Sequence, residues 1–257
     1  VEDSISNGDN REMEMVQPIT VERIDSTPDS VFIQRLQALP YLVELPYNQI
    51  VRRYTLRYLL HSPKQVAELQ RRQERYMSTF QNILGAYNLP YELAYLPIIE
   101  SALNPNARSH MGAVGLWQFM PATGKKYGLE INSLVDERRD PIKSTHSAAR
   151  FLNALYTVFQ DWNLVIASYN CGPGNVNKAI SRAGGKRDFW SIYPYLPKET
   201  RAYLPLYIAA VYVMNYAHLH GIVHSSPEML ITTDSLAYND SIIALNPQEL
   251  ALCEASL

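Results

Sequence analysis

Glu100 closes the apolar run Leu96-Pro97-Ile98-Ile99, and Gln118 follows in the string Gly-Leu-Trp-Gln-Phe-Met-Pro. A carboxylate beside Ile98, Ile99 and Leu103 is partly desolvated, and desolvation disfavours the charged form. A carboxyl group kept protonated near neutral pH can protonate a leaving-group oxygen as a general acid. Taken alone, Glu100 reads more plainly as a helix-end glutamate, exposed or paired with Arg108. Glycoside cleavage ordinarily uses two carboxylates. Glu92, Asp136, Glu137, Asp140, Asp161 and Glu199 are the other candidates, and spacing singles out none of them. Asp140-Pro141 and Asp161-Trp162 read as helix caps.

Other chemistries find less support. There is no GxSxG, and Cys171 has no obvious His partner for nucleophilic catalysis. No Walker loop is present, and Gly112, Gly115, Gly172 and Gly174 do not form a dinucleotide fingerprint. The six histidines form no HExxH, and His218, His220 and His224 read as flanking a helix end rather than binding metal. Cys171 and Cys253 are far apart with no CxxC, so free thiols are expected ahead of a long-range disulfide. A net charge of -2 offers no concentrated cationic surface for nucleic acid. The 18 tyrosines suit a groove that binds sugars or peptides, although each one singly reads as packing at the edge of a helical core.

The elements that must position these residues are helical. With 257 residues, 47% hydrophobic and 19% charged, the chain can bury a large core, and no apolar run is long enough to span a bilayer. It opens Val1-Glu2-Asp3 with neither an initiator Met nor a signal peptide, so a mature fragment is expected and nothing follows about export. Residues 1–28 read as a weakly ordered arm. Residues 48–60 allow a helix. Ser62-Pro63 reads as an N-cap with Pro at the first helical position. Val66, Leu69, Tyr76, Phe80, Ile83 and Tyr87 then mark a long amphipathic helix, with Arg71, Arg72 and Arg75 towards solvent. Residues 91–102 predict a short apolar helix ending at Glu100-Ser101, with Asn104-Pro105 as the stop. Helices are expected after Asp140, after Asp161, from Asn175 to Arg182 beyond a Gly172-Pro173-Gly174 turn, and from Pro197 through Tyr216. The expected division is an arm at 1–28, an N-terminal helical extension at 29–88 packed on the core, a catalytic domain at 89–224, and an irregular tail or linker at 225–257.

Four strings carry a resemblance: "ESALNPNARSHMGAVGLWQFMPATGKKYGL", "DERRDPIKSTHSAARFL", "DWNLVIASYNCGPGNV" and "LPKETRAYLPLYIAA". In order and spacing they resemble the signatures of the family 1 lytic transglycosylases, closest to the membrane-bound D type, over about half the chain. The resemblance implies a mainly α, lysozyme-like (goose-type lysozyme/SLT) domain that cleaves peptidoglycan. It implies Glu100 as the single catalytic acid/base, Ser109 as the serine contacting sugar near the cleaved bond, and Gln118 and Met120 as groove-lining positions. Tyr169 and Asn170 match an aromatic-plus-amide pair whose preceding Ala is here Ser168, and Glu199 matches an acidic residue facing the groove. Trp117 reads as core rather than a sugar platform, and Cys171 as a small buried residue.

The implied reaction explains the missing second carboxylate. Glu100 protonates the glycosidic oxygen. Then, ionised, it takes the proton from the C6 hydroxyl of the same MurNAc, which closes a 1,6-anhydro ring. The substrate supplies the nucleophile, and the intramolecular attack has a large effective concentration. No metal or cofactor is implied. Glycan strands are the implied partner and the periplasm or outer membrane the implied location. An N-terminal lipid anchor and lysin-motif repeats beyond the C-terminus are further family features. The alternatives are a hydrolase of lysozyme or chitinase character on the same scaffold, and a silent glycan-binding protein.

Overall fold

The computed structural model describes Ile24 and residues 26–223. The helices in chain order are α1 (Asp29–Ala38), α2 (Gln49–Leu56), α3 (Pro63–Ala86), α4 (Leu96–Ser101), α5 (Pro121–Lys126), α6 (Pro141–Phe159), α7 (Trp162–Cys171), α8 (Pro173–Arg182), α9 (Phe189–Ile192) and α10 (Lys198–Tyr216). Among the described residues, β structure is limited to isolated bridges at Arg108–Val114, Val114–Phe119 and Ile131–Asp136. The architecture is the mainly α one that the apolar periodicity predicts. Most of the expected arm and all of the expected tail, with His224 and Cys253, lie outside the described residues. Ile24, expected within that arm, is buried in the core.

α10 is the central helix. Apart from Arg201, every residue from Thr200 to Met214 is buried, as suits a helix apolar on all sides. α2, α3, α4 and α7 pack around it. α1 is clamped to its C-terminal end. Arg35 Nη1 donates to Tyr212 Oη at 2.7 Å and to His220 Nε2 at 2.9 Å. Tyr216 Oη donates to the Arg35 carbonyl at 2.8 Å, and Phe32 packs on the Tyr212 ring. Burial, helped by the Arg35 charge, lowers the His220 pKa to about 4, so its ring is neutral.

Local chemistry starts and stops the helices. Asp140 accepts from the Ile142 and Lys143 amides and caps α6, and Asp161 accepts from Leu164 and caps α7, both as expected. Elsewhere the structure corrects the sequence expectation. The helix expected over 48–60 ends in a π turn, Arg57–His61. Pro63 has no N–H to continue the ladder and disfavours helical geometry at Ser62, which makes no side-chain cap. α8 begins at Pro173 rather than Asn175; Gly172 alone takes the left-handed turn, and Pro173 is preset for the first helical position. Arg72 is not on a solvent face. It shares Glu68 with Arg71 and donates to the Ala102 carbonyl at 3.1 Å.

Glu92 fastens the segment between α1 and α2. It is wholly buried in the 3-10 turn Tyr91–Tyr95. Its Oε1 accepts from the Leu42 and Val43 amides at 2.5 and 2.6 Å, while Tyr207 Oη donates to its backbone carbonyl at 3.0 Å. Removing the side chain leaves two amides without their acceptor, each costing about 1–3 kcal/mol. Glu92→Ala is therefore expected to lose roughly 2–4 kcal/mol of stability, read as a lower urea midpoint.

Candidate active site

α4 ends at Ser101, one residue after Glu100, as expected, but it begins only at Leu96, after the 3-10 turn Tyr91–Tyr95. Ala102 and Leu103 both adopt positive φ, 49° and 58°, and turn the chain back. Their amides donate to the Ile98 and Pro97 carbonyls at 3.1 and 3.2 Å. Two successive left-handed non-glycine residues cost of order 1–3 kcal/mol each and persist only where surroundings enforce them. Both are buried, and the Arg72 bond to Ala102 holds the reversal. Next to Glu100, Ser101 Oγ bridges back to the Pro97 carbonyl at 3.0 Å and across to Leu116 at 2.9 Å.

Glu100 itself is partly buried and is not paired with Arg108. Tyr203 Oη, from α10, donates to its Oε1. Burial raises the Glu100 pKa to about 7, and the Tyr203 hydrogen bond holds it from rising further. Tyr203 stays a phenol, because burial and the Glu100 charge push its own pKa well up. Tyr169, on α7, feels the same carboxylate, and burial with the Glu100 charge raises its pKa well above the ordinary phenol value. Its hydroxyl donates to the Trp117 carbonyl at 2.8 Å, and its ring packs on Phe151 and Phe119.

The loop from Asn104 to Met120 is a tight backbone fold. Ser109 and Ala113 pair through N–H to carbonyl at 2.9 Å, and Ser109 Oγ accepts the Ala113 amide at 3.0 Å. Gln118 has φ 47° and donates its carboxamide N–H to Gly115 and Ala107 at 2.8 and 3.3 Å, so here it holds the loop. Arg138 pins the loop from outside, donating to the Gly112 and Phe119 carbonyls at 3.0 Å each while paired with Asp136. Gly115 passes so close to Arg138 that a Cβ would stand 1.9 Å from its carbonyl oxygen. Trp117 is fully buried and donates to Thr145 Oγ1 at 2.8 Å, so it is core, as expected.

The sequence-predicted residues divide accordingly. Glu100 and Tyr169 come together. Asn170 Oδ1 accepts from Thr200 Oγ1 at 2.8 Å, joining α7 to α10. Ser109 and Gln118 share the pinned loop, and Met120, 40% exposed, immediately precedes α5. Glu199 is exposed in the first turn of α10, one helical turn before Tyr203 and on its face. Ser168, in place of the family's Ala, is buried with no partner for Oγ among the described residues, and Cys171 is only partly buried. Of the other carboxylates, Glu92, Asp140 and Asp161 serve the backbone, and Asp136 and Glu137 pair with Arg138 and Lys143. Tyr203, Thr200 and Arg138 are the residues that the sequence reading missed. All three lie inside the quoted signatures, which was the available signal.

Residues 77–191 match the Transglycosylase SLT domain family. Those residues form an SLT domain. The chain is 36% identical over 211 residues to the membrane-bound lytic murein transglycosylase D of Escherichia coli, covering 80% of this chain and 45% of that protein. It is 27% identical over 173 residues to the soluble lytic murein transglycosylase of the same species, covering 63% of this chain and 26% of the relative. It thus spans less than half the length of these relatives. The solved 70 kDa soluble lytic transglycosylase, in complex with bulgecin A, shares the fold with a TM-score of 0.51 at 20% identity, over 80% of this chain and 34% of that one. The SLT domain here is lysozyme-like.

The burial of Glu100 has a stability consequence. Its folded pKa of about 7 lies above the 4.5 of an ordinary glutamate. Between those values the folded state binds more protons than the unfolded one, so stability falls as pH rises through that window. The destabilisation is absent below about pH 4.5 and reaches roughly 3 kcal/mol above pH 7. Glu100→Gln keeps an acceptor for Tyr203 and removes the titration. Its melting temperature relative to the parent is expected to climb between pH 4.5 and 7 and then level off.

Proposed function

We propose that the protein is a peptidoglycan lytic transglycosylase, in which Glu100 acts first as acid and then as base. The observation that carries this reading is a carboxyl group with a pKa of about 7, held by one phenol and by no second carboxylate among the described residues. Near neutral pH such a group is present in both forms, which suits one residue giving a proton and then taking one back. Protonated Glu100 donates to the oxygen of the β-1,4 bond between MurNAc and GlcNAc. As that bond breaks, positive charge develops at the MurNAc anomeric carbon, and the carboxylate just formed stabilises it. Glu100 then accepts the proton of the C6 hydroxyl, which attacks the anomeric carbon and closes the 1,6-anhydro ring. One bond breaks, one forms, and the proton count at Glu100 returns to its start.

Tyr203 orients the carboxyl group throughout and, by favouring the anion, makes its proton easier to give. Tyr169 and Asn170, fixed by Trp117 and Thr200, form one wall of the sugar groove, and Ser109, Gln118 and Met120 the other, with Glu199 at the rim. The strained loop and its Arg138 pin keep these groups in place before substrate arrives. On this reading the protein works in the bacterial cell envelope. A lipid anchor and lysin-motif repeats would belong to segments outside the described residues.

Mass spectrometry of the fragments released from purified peptidoglycan tests the reading. The parent is expected to release 1,6-anhydro ends, and Glu100→Gln to lose at least about a thousandfold in rate. Reducing-end sugars without anhydro product would make the protein a hydrolase instead. A fully active Glu100→Gln would remove Glu100 from the mechanism.

A further inference from the structure

The surface carries a cleft of about 380 Å³ that does not include Glu100. α8 forms one side, with Asn175, Lys178 and Arg182 in a stripe at helical spacing. The other side is the turn at residues 194–197 together with Arg201 of α10. Three of the lining side chains are cations and none is acidic. Arg201 is fixed in the wall, its Nε donating to the Leu196 carbonyl at 3.0 Å and Nη2 to Pro194 at 2.8 Å. Its Nη1 has no protein partner among the described residues. Lys178 and Arg182 are exposed and make no side-chain ion pair or hydrogen bond among the described residues. Like charges gathered on one concave surface repel one another, and an anionic ligand relieves that repulsion.

The cleft adjoins the site. Asn175 Nδ2 donates to the Cys171 carbonyl at 2.8 Å, and Cys171 follows Tyr169 and Asn170 on α7. On the opposite side, Pro197 caps α10 two residues before Glu199. The cleft is thus a cationic side chamber at one end of the wall assigned above to the sugar groove. The exposed Tyr195, which also lines it, adds an apolar surface, and the volume suits a few peptide residues.

We infer that this cleft binds the acidic peptide branch of the glycan, with Lys178, Arg182 and Arg201 meeting its carboxylates. The inference rests on the transglycosylase reading, whose substrate bears peptides with free carboxylates on its MurNAc residues. A guanidinium held in place by two carbonyls loses little freedom on meeting a carboxylate, and charge-assisted bonds of this kind are the stronger ones. The cleft would select peptide-bearing strands over bare ones and set which MurNAc lies beside Glu100.

The test compares the parent chain with a Lys178→Ala/Arg182→Ala double variant on two substrates. One is intact peptidoglycan, the other glycan strands stripped of peptide by an amidase. Release of anhydro ends gives kcat/KM for each. The variant should lose about tenfold on intact peptidoglycan, the equivalent of 1.4 kcal/mol, mainly through KM, and change less than about twofold on stripped strands. The loss on intact substrate should shrink at high salt, and a Lys178→Arg/Arg182→Lys variant should recover most of it. Both substituted residues are exposed, so the melting temperature should hold. Equal losses on both substrates, or no loss on either, would overturn the peptide cleft while leaving the transglycosylase reading intact. A parent that forms anhydro ends from neither substrate would overturn that reading and the cleft's role with it.

Discussion

At Glu100 two opposing effects meet. Burial at the end of α4 raises the proton affinity of the carboxyl group, and the Tyr203 hydroxyl pulls it part of the way back. The surrounding structure serves that balance. α10, buried on every side from Thr200 to Met214 apart from Arg201, delivers Tyr203. α7 brings Tyr169 against the same charge and joins the loop through the Trp117 carbonyl. Arg72 locks the reversal that ends α4 immediately after the catalytic candidate.

The loop carries the other constraint. Gln118, Ala102 and Leu103 all hold positive φ without being glycine, and such residues persist only where neighbours over-determine them. Here the neighbours are identifiable. Arg138 donates to the middle and the end of the loop, at Gly112 and Phe119, Ser101 ties Leu116 to α4, and the Gln118 carboxamide closes on Gly115 and Ala107. At Gly115 the loop backbone lies so close to the Arg138 backbone that only an absent side chain fits. A loop built this way presents its polar groups in one arrangement before any ligand binds, which reduces the ordering cost of binding.

Much of this was legible in the sequence because its causes are local. Asp140 and Asp161 announce their helices through capping, which involves only the next three residues. The 3.6-residue apolar spacing gives α3 and α6 directly, and the isolated run before Glu100 points to a desolvated carboxyl. What was not legible depends on distant partners. Tyr203 contacts Glu100 across 103 residues of chain, and nothing in its own neighbourhood distinguishes it from the other buried tyrosines of α10. Arg138 reads as one of two adjacent arginines, and only folding shows which one reaches the loop. Arg72 lies on a charged stretch of α3 that local pattern assigns to solvent, yet it is needed at the end of another helix. The Gly172-Pro173 boundary erred by two residues, because Pro is as much a helix starter as a turn former.

Before any substrate binds, the fold keeps Glu100 about half protonated at neutral pH. The most direct measurement is a pH titration of its side-chain carboxyl carbon by NMR, in the substrate-free protein labelled at glutamate and assigned by comparison with Glu100→Gln. The expected result is a midpoint near 7, set apart from the other glutamates of the chain. A midpoint at the ordinary glutamate value of about 4.5 would contradict the account, because Glu100 would then be ionised at neutral pH and have no proton to give.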